Sequence, residues 1–220
     1  MLKRHPYSSA RPLVAEIIGP PGAGKSTLLV ALREQHPGVR SVFQMRSMGY
    51  LPALLGSAAR QLPRLARQRS WWQARQLVRL GAMQRAFSRP AAGVATIVDQ
   101  GPVYTLARMH GASLAADDSL YRQWASALDL VIWLDAPDAV LIERIDGRPK
   151  PHAVKGRPER ESAAYLAGLR ASFAYVVARL QAQGGPRVLR FDTSQAGLGQ
   201  IAAQVLGACA ANNTRPAELL

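Results

Sequence analysis

Residues 13–34 read Leu-Val-Ala-Glu-Ile-Ile-Gly-Pro-Pro-Gly-Ala-Gly-Lys-Ser-Thr-Leu-Leu-Val-Ala-Leu-Arg-Glu. At their centre Gly19, Pro20, Pro21, Gly22, Ala23, Gly24, Lys25 and Ser26 make a complete G-x-x-x-x-G-K-[ST] phosphate-binding loop. Such a loop aims backbone N–H groups at nucleotide phosphates, and the helix that follows adds the positive end of its dipole. Glycines at 19, 22 and 24 permit turns and close approaches that a Cβ would hinder. Lys25 is placed to reach the β- and γ-phosphates, and the Ser26 hydroxyl, with Thr27 beside it, to hold Mg²⁺. The flanks fit: Val14–Ile18 reads as an apolar strand entering the loop. Leu28, Leu29 and Leu32 fall at helical spacing on the segment leaving it.

Outward from the loop, the chain alternates strand, loop and helix, which predicts a mainly parallel sheet flanked by helices. Five strands are expected, at Val14–Ile18, Arg40–Gln44, Val94–Val98, Leu128–Leu134 and Arg187–Phe191. Ligands bind such sheets beyond the carboxyl ends of the strands, so the loop, Asp99, Asp135 and Asp192 should share one edge. Between the second and third strands a helical excursion runs over residues 50–89. Its first part has Leu51, Leu54, Leu55, Ala58, Leu62 and Leu65 on one face and Arg60, Arg64 and Arg67 on the other, with Pro63 interrupting it. A second helix is expected over Trp71 to Phe87. The arginine face is either an ordinary solvated surface, an acceptor-phosphate site, or a nucleic-acid or membrane surface.

The 220 residues suffice for one domain, and no run approaches the length of a membrane span. The start, Met1 to Ser8, has basic residues with no apolar region behind them, so no secretory signal is expected. One cysteine, Cys209, excludes an internal disulfide framework and suits a reducing cytoplasm; it is expected to be buried on the last helix. The histidines at 5, 36, 110 and 152 lack metal-ligand spacing. The formal net charge is +14, and no acidic residue occurs between Glu34 and Asp99 while arginines recur throughout that stretch. Something anionic is the natural partner, the alternative being an arginine- and alanine-heavy composition that puts arginine on every surface.

Two further clusters carry chemistry. Val94–Asp99 is an apolar strand ending in a carboxylate, which next to a phosphate loop can hold the Mg²⁺ hydration shell or take a proton. Glu16, inside the first strand, reads as a satisfied structural carboxylate or acceptor-side contact. Residues 146–161 carry Arg148, Lys150, Lys155, Arg157 and Arg160, with Arg144 just before them. Gly147, Pro149, Pro151, Gly156 and Pro158 break regular structure there. A cation-bearing loop between two helices can close over a nucleotide and neutralise transferring charge.

These blocks resemble the phosphate-loop nucleotide and nucleoside kinases, particularly thymidylate and deoxynucleoside kinases; the loop itself is similar to that of adenylate kinase. The matching stretches come in order: the loop with Ser26 and Thr27; Val98-Asp99; Trp133-Leu-Asp-Ala-Pro137 with Glu143-Arg-Ile145; and Phe191-Asp-Thr-Ser194. Lys155 to Glu161 resembles the lid of deoxynucleoside kinases. The resemblance implies a three-layer fold over about residues 13–206 within a single domain, with a five-stranded sheet, a helical acceptor-side excursion at 50–89 and a mobile lid at 146–161. It implies ATP and Mg²⁺, with the loop residues and the turn at Asp192 and Thr193 on the nucleotide. Lys25 and Ser26 would serve phosphate and metal, Asp99 metal or base, and Arg144, Arg148 and Arg157 the lid cations.

Two departures narrow the acceptor. Gln100 stands where many family members carry arginine. The stretch from Phe43 to Tyr50 lacks the carboxylate that deoxynucleoside kinases use as a base. A hydroxyl acceptor benefits from such a base, whereas an acceptor that is already a phosphate needs cations against anion–anion repulsion. The expectation is therefore a cytoplasmic, ATP-dependent small-molecule kinase with an anionic, phosphorylated acceptor, in the manner of a nucleoside monophosphate, and related kinases often pair as homodimers. The alternative is a nucleotide-dependent binding or regulatory protein working on nucleic acid or an anionic membrane. No guanine-recognition motif or transporter-ATPase signature supports that alternative.

Overall fold

The computed structural model describes residues 13–36, 38–41, 71–87, 95–109 and 118–213. Five strands, β1 (Leu13–Ile18), β2 (Val39–Ser41), β3 (Ala95–Asp99), β4 (Leu130–Asp135) and β5 (Arg187–Asp192), form one sheet in the order β2-β3-β1-β4-β5. Every pairing is parallel. The helices are α1 (Lys25–Gln35), α2 (Trp71–Phe87), α3 (Pro102–Met109), α4 (Asp118–Ala127), α5 (Asp138–Asp146), α6 (Glu159–Gln181) and α7 (Leu198–Asn213). β1 is buried along its whole length because it lies between β3 and β4 with helices on both faces, which is why it reads as a near-continuous apolar run.

Strand alternation divides the core in two. Leu13, Ala15 and Ile17 face the layer that holds Leu28 and Leu32 of α1 and Ile201, Val205 and Cys209 of α7. Val14 and Ile18 face the opposite layer, with Leu77 and Leu80 of α2, Leu106 of α3, Trp124 of α4 and Phe173 and Val177 of α6. Glu16 belongs by the same alternation to this second face and is the one charged residue within β1. Cys209 is buried in the first layer, and burial pushes its thiol up to about 11.

The expected strands differ from the observed ones mainly at their ends. β3 and β4 each extend to their terminal aspartate, and β4 starts at Leu130 because Leu128 and Asp129 close the turn after α4. β2 begins at Val39, and residues 42–44 of the expected strand lie outside the described residues. The helix expected from Trp71 to Phe87 is present as α2. Pro63, the leucine stripe and Arg60, Arg64 and Arg67 lie outside the described residues. The broken segment expected at 146–161 is residues 147–158, since α5 runs through Asp146 and α6 starts at Glu159. No helix among the described residues is long and apolar enough to cross a membrane.

Two side-chain anchors position the site edge. Arg170 of α6 grips the end of β4: its Nε and Nη2 donate to Asp135, its Nη1 donates to Asp138 at 2.6 Å, and Nη2 also reaches the Ala136 carbonyl. Glu16 does the equivalent for α3, as described next.

Candidate active site

The loop leaves β1 at Gly19 and wraps into α1. Gly19 has φ +142, and a Cβ there would sit 2.0 Å from the carbonyl oxygen of Leu134 on β4. No other residue fits so close to a neighbouring strand. Gly24 caps α1 in the left-handed region. Lys25 opens the helix and turns its ammonium back, donating to the carbonyl oxygens of Gly19 and Pro20 at 2.8 and 2.9 Å. Burial of that ammonium pushes Lys25 down to about 8, with Asp99 pulling it back up and Arg148 pushing it further down.

Asp99 ends β3 opposite Ile17 of β1, one residue beyond the loop-bearing strand's centre. Burial raises its carboxyl above the usual range; the Lys25 ammonium, the Gln100 N–H and the Ser26 hydroxyl oppose that rise. Its Oδ1 is buried and has no hydrogen-bond partner among the described residues. Oxygen of this kind, beside a serine hydroxyl, is the donor chemistry a hard divalent cation takes, and a buried acceptor left without a partner is costly unless a ligand satisfies it.

The loop after Asp99 is held from below. Glu16 Oε2 accepts the Val103 N–H at 2.7 Å and Oε1 the Tyr104 N–H at 2.9 Å, and the Gly101 N–H adds a third bond. These are the free donors of the first turn of α3, so the strand carboxylate serves as the cap that the sequence Gly101-Pro102 does not supply. Burial pushes Glu16 up to about 8 despite those three bonds. A Cβ on residue 101 would lie 2.8 Å from the Glu16 carboxyl carbon, so Gly101 is fixed by the carboxylate's approach. Gln100 carries φ +60, and its carbonyl accepts from Arg79 of α2 at 2.9 Å. The one arginine of the acid-free stretch whose bond is described thus holds the Asp99 turn from above.

On the far side of the loop a cavity of about 450 Å³ is lined by Thr27, Leu28, Arg144, Arg148, Thr193 and Ile201 among others. Arg144 of α5 donates through Nη1 to the Thr193 hydroxyl at 2.9 Å and to the Gly22 carbonyl at 3.4 Å, and through Nη2 to the Thr193 carbonyl at 3.1 Å. It therefore ties the loop to the turn after β5. Asp192 ends β5, and its Oδ1 accepts from the Ser194 N–H and hydroxyl, closing that turn. Of the three arginines expected on the lid, Arg144 and Arg148 line the cavity. Arg157 does not line it; it is exposed and pairs with Glu161 at 4.0 Å.

Sequence reasoning missed Arg170, which gave no local signal because its partners Asp135 and Asp138 are distant in the chain.

Comparison with known proteins bears on the family and the fold. A family model described as an AAA domain matches residues 14–174. No functionally curated protein matches the chain. Among solved structures, the Bacillus subtilis YorR protein in complex with phosphorylated GDP is similar with a TM-score of 0.55 and 12% identity, over 92% of this chain and 99% of that one. Thymidylate kinase from Candida albicans is similar with a TM-score of 0.55 and 16% identity, over 94% and 96%. At such identity these two speak for the fold. The matched span covers most of the chain and includes the phosphate loop, so the chain belongs to this AAA domain family.

Proposed function

We propose that the protein is an ATP- and Mg²⁺-dependent small-molecule kinase that transfers the γ-phosphoryl group to an anionic, phosphorylated acceptor. The observation that carries this reading is the meeting of Lys25, Ser26 and Asp99 at one sheet edge, with Asp99 Oδ1 buried and unpartnered. Ser26 and Asp99 would hold the metal, which when bound supplies charge neutralisation between the β- and γ-phosphates. Loop N–H groups and the α1 dipole bind the phosphates. Lys25 exchanges its two carbonyl partners for phosphate oxygens. Arg144 keeps the Thr193 turn against the loop on the nucleotide side. Arg148 faces the cavity from the lid, and Arg157, exposed beside Glu161 in this structure, would reach the transferring group only on closure of the lid.

The acceptor side fits an anion. Arg108 of α3 is exposed, lies 5.4 Å from the Trp72 ring and 6.0 Å from the Tyr104 ring, and has no carboxylate partner among the described residues. In the reaction an acceptor oxygen forms the new P–O bond as the bond to the β–γ bridging oxygen breaks and ADP departs. An acceptor that is already a phosphate arrives deprotonated, so Asp99 is free to serve the metal rather than act as base.

The test is ADP formation from Mg-ATP with pooled acceptors: nucleoside monophosphates, nucleosides, sugar phosphates and short oligonucleotides. Stimulation by a phosphorylated pool, lost in Lys25→Ala by roughly a hundredfold or more, is the expected result. Nucleotide binding with no stimulation by any pool would overturn it and favour a nucleotide-dependent binding protein.

A further inference from the structure

α2 and α3 lie side by side and run in opposite directions. At one end Arg79 of α2 donates to the Gln100 carbonyl, just before α3 begins. At the other, Arg108 near the end of α3 stacks over the Trp72 ring at the start of α2, 5.4 Å from its centroid. Seven residues of helix separate Trp72 from Arg79, so this pair of helices extends about 10 Å outward from the Asp99 turn. Arg108 also lies 6.0 Å from the Tyr104 ring, so one guanidinium reaches two aromatic faces.

The outer end of this rim leaves a large ring in water. Trp71 is 85% exposed, where a tryptophan is ordinarily packed. Arg75 lies one turn further on the same side of α2 and is exposed as well. Neither α2 nor α3 contains an acidic residue, so their arginines present unopposed charge along the rim.

The chemistry of the rim selects among anions. Exposed rings set beside guanidinium groups match a ligand that alternates flat bases with phosphates. A duplex hides the faces of its bases, so the ligand is a single strand. An acidic polypeptide satisfies the arginines and leaves the rings unused. A bilayer surface needs an apolar helix face, and that of α2, with Leu77, Leu80 and Met83, is already buried in the core.

We propose that the outer rim of α2 and α3 binds single-stranded nucleic acid, with an unpaired base stacked on Trp71 and phosphates lying along Arg75 and Arg108. The surface stands whether or not the phosphate site transfers a phosphoryl group.

Tryptophan fluorescence of the full chain tests this, because Trp124 and Trp133 are buried and a bound base can stack only on Trp71 or Trp72. The probes are a short oligothymidylate, the same strand paired with oligoadenylate, and phosphatidylserine vesicles. Each is titrated at about 0.15 M salt, which screens the general attraction of a basic chain. The single strand should quench the fluorescence and bind about tenfold more tightly than the duplex. Trp71→Ala should weaken strand binding about tenfold, Trp71→Phe should restore most of it, and neither should change duplex binding. Arg75→Ala should reduce the salt dependence of strand binding by about one phosphate contact. Equal affinity for strand and duplex overturns the proposal, as does a Trp71→Ala protein that binds the strand like the parent. Either leaves only the attraction of a chain of net charge +14 for polyanions. Vesicle binding tighter than strand binding, and lost in Trp71→Ala, overturns it in favour of a membrane. Turnover with a small phosphorylated acceptor but no strand binding sinks this proposal alone. Strand binding with no turnover in any acceptor pool supports it and counts against the kinase reading.

Discussion

The floor of the site under β1 and its rim at the end of β3 each carry a carboxylate, one residue out of register on adjacent strands, Glu16 fully buried and Asp99 half-buried. Glu16 receives three backbone N–H groups and belongs to the fold. Asp99 keeps a buried oxygen with nothing on it among the described residues and faces Lys25 and Ser26. Burial raises both, so titration alone does not separate them. What separates them is the count of partners: both oxygens of Glu16 accept backbone N–H groups, whereas Asp99 Oδ1 has no partner among the described residues.

The sharpest break of this contrast is Asp99→Asn. Turnover should fall roughly a thousandfold, about 4 kcal/mol of transition-state stabilisation, while the urea midpoint holds or rises because a strained charge is gone. Steady-state kinetics beside an unfolding curve reads both, and near-normal kcat would remove Asp99 from the chemistry. Glu16→Gln should do the reverse, costing about 1–3 kcal/mol of stability by setting an amide against a backbone donor. Nucleotide affinity should stay within about twofold of the parent. Lost turnover at unchanged stability would instead make Glu16 the functional member of the pair.

On the opposite rim, Arg144→Lys keeps the charge but loses the fork that holds Thr193 and Gly22. Nucleotide affinity should drop by about 1 kcal/mol, measurable by calorimetry; an unchanged affinity would show that the turn after β5 needs no such tie. The mildest effect is on pH. Glu16 in the folded state lies above its unfolded value, so its contribution to stability is complete in acid, declines as pH climbs past the ordinary carboxylate range, and is lost above about 8. Urea midpoints between pH 5 and 8 should fall in the parent and flatten in Glu16→Gln.

The nucleotide half of the site was legible because it is local. Loop, strand and helix occupy consecutive residues, and the glycines mark backbone that side chains cannot follow. The strand-end aspartates were legible for the same reason, since each closes an apolar run. Glu16 was readable as structural but not as the cap of α3, because its partners lie more than eighty residues away. Arg144 read as a lid cation from its neighbours in sequence. The fold turns it instead toward Gly22 and Thr193, a choice made by how α5 packs over the loop. The arginines of residues 50–70 stay an expectation, while Arg79, one face further on, proves to hold backbone at Gln100.

The Arg170 clamp has a mechanical corollary. α6 begins where the cation-bearing segment ends, and α5 ends where it begins. By gripping Asp135 and Asp138, Arg170 locks the α6 side to β4 and to the first turn of α5. Both feet of residues 147–158 then stand on one rigid block. Any movement of that segment would be that of an arch on fixed abutments, carrying Arg148 along a short path and leaving the sheet and its strand ends undisturbed.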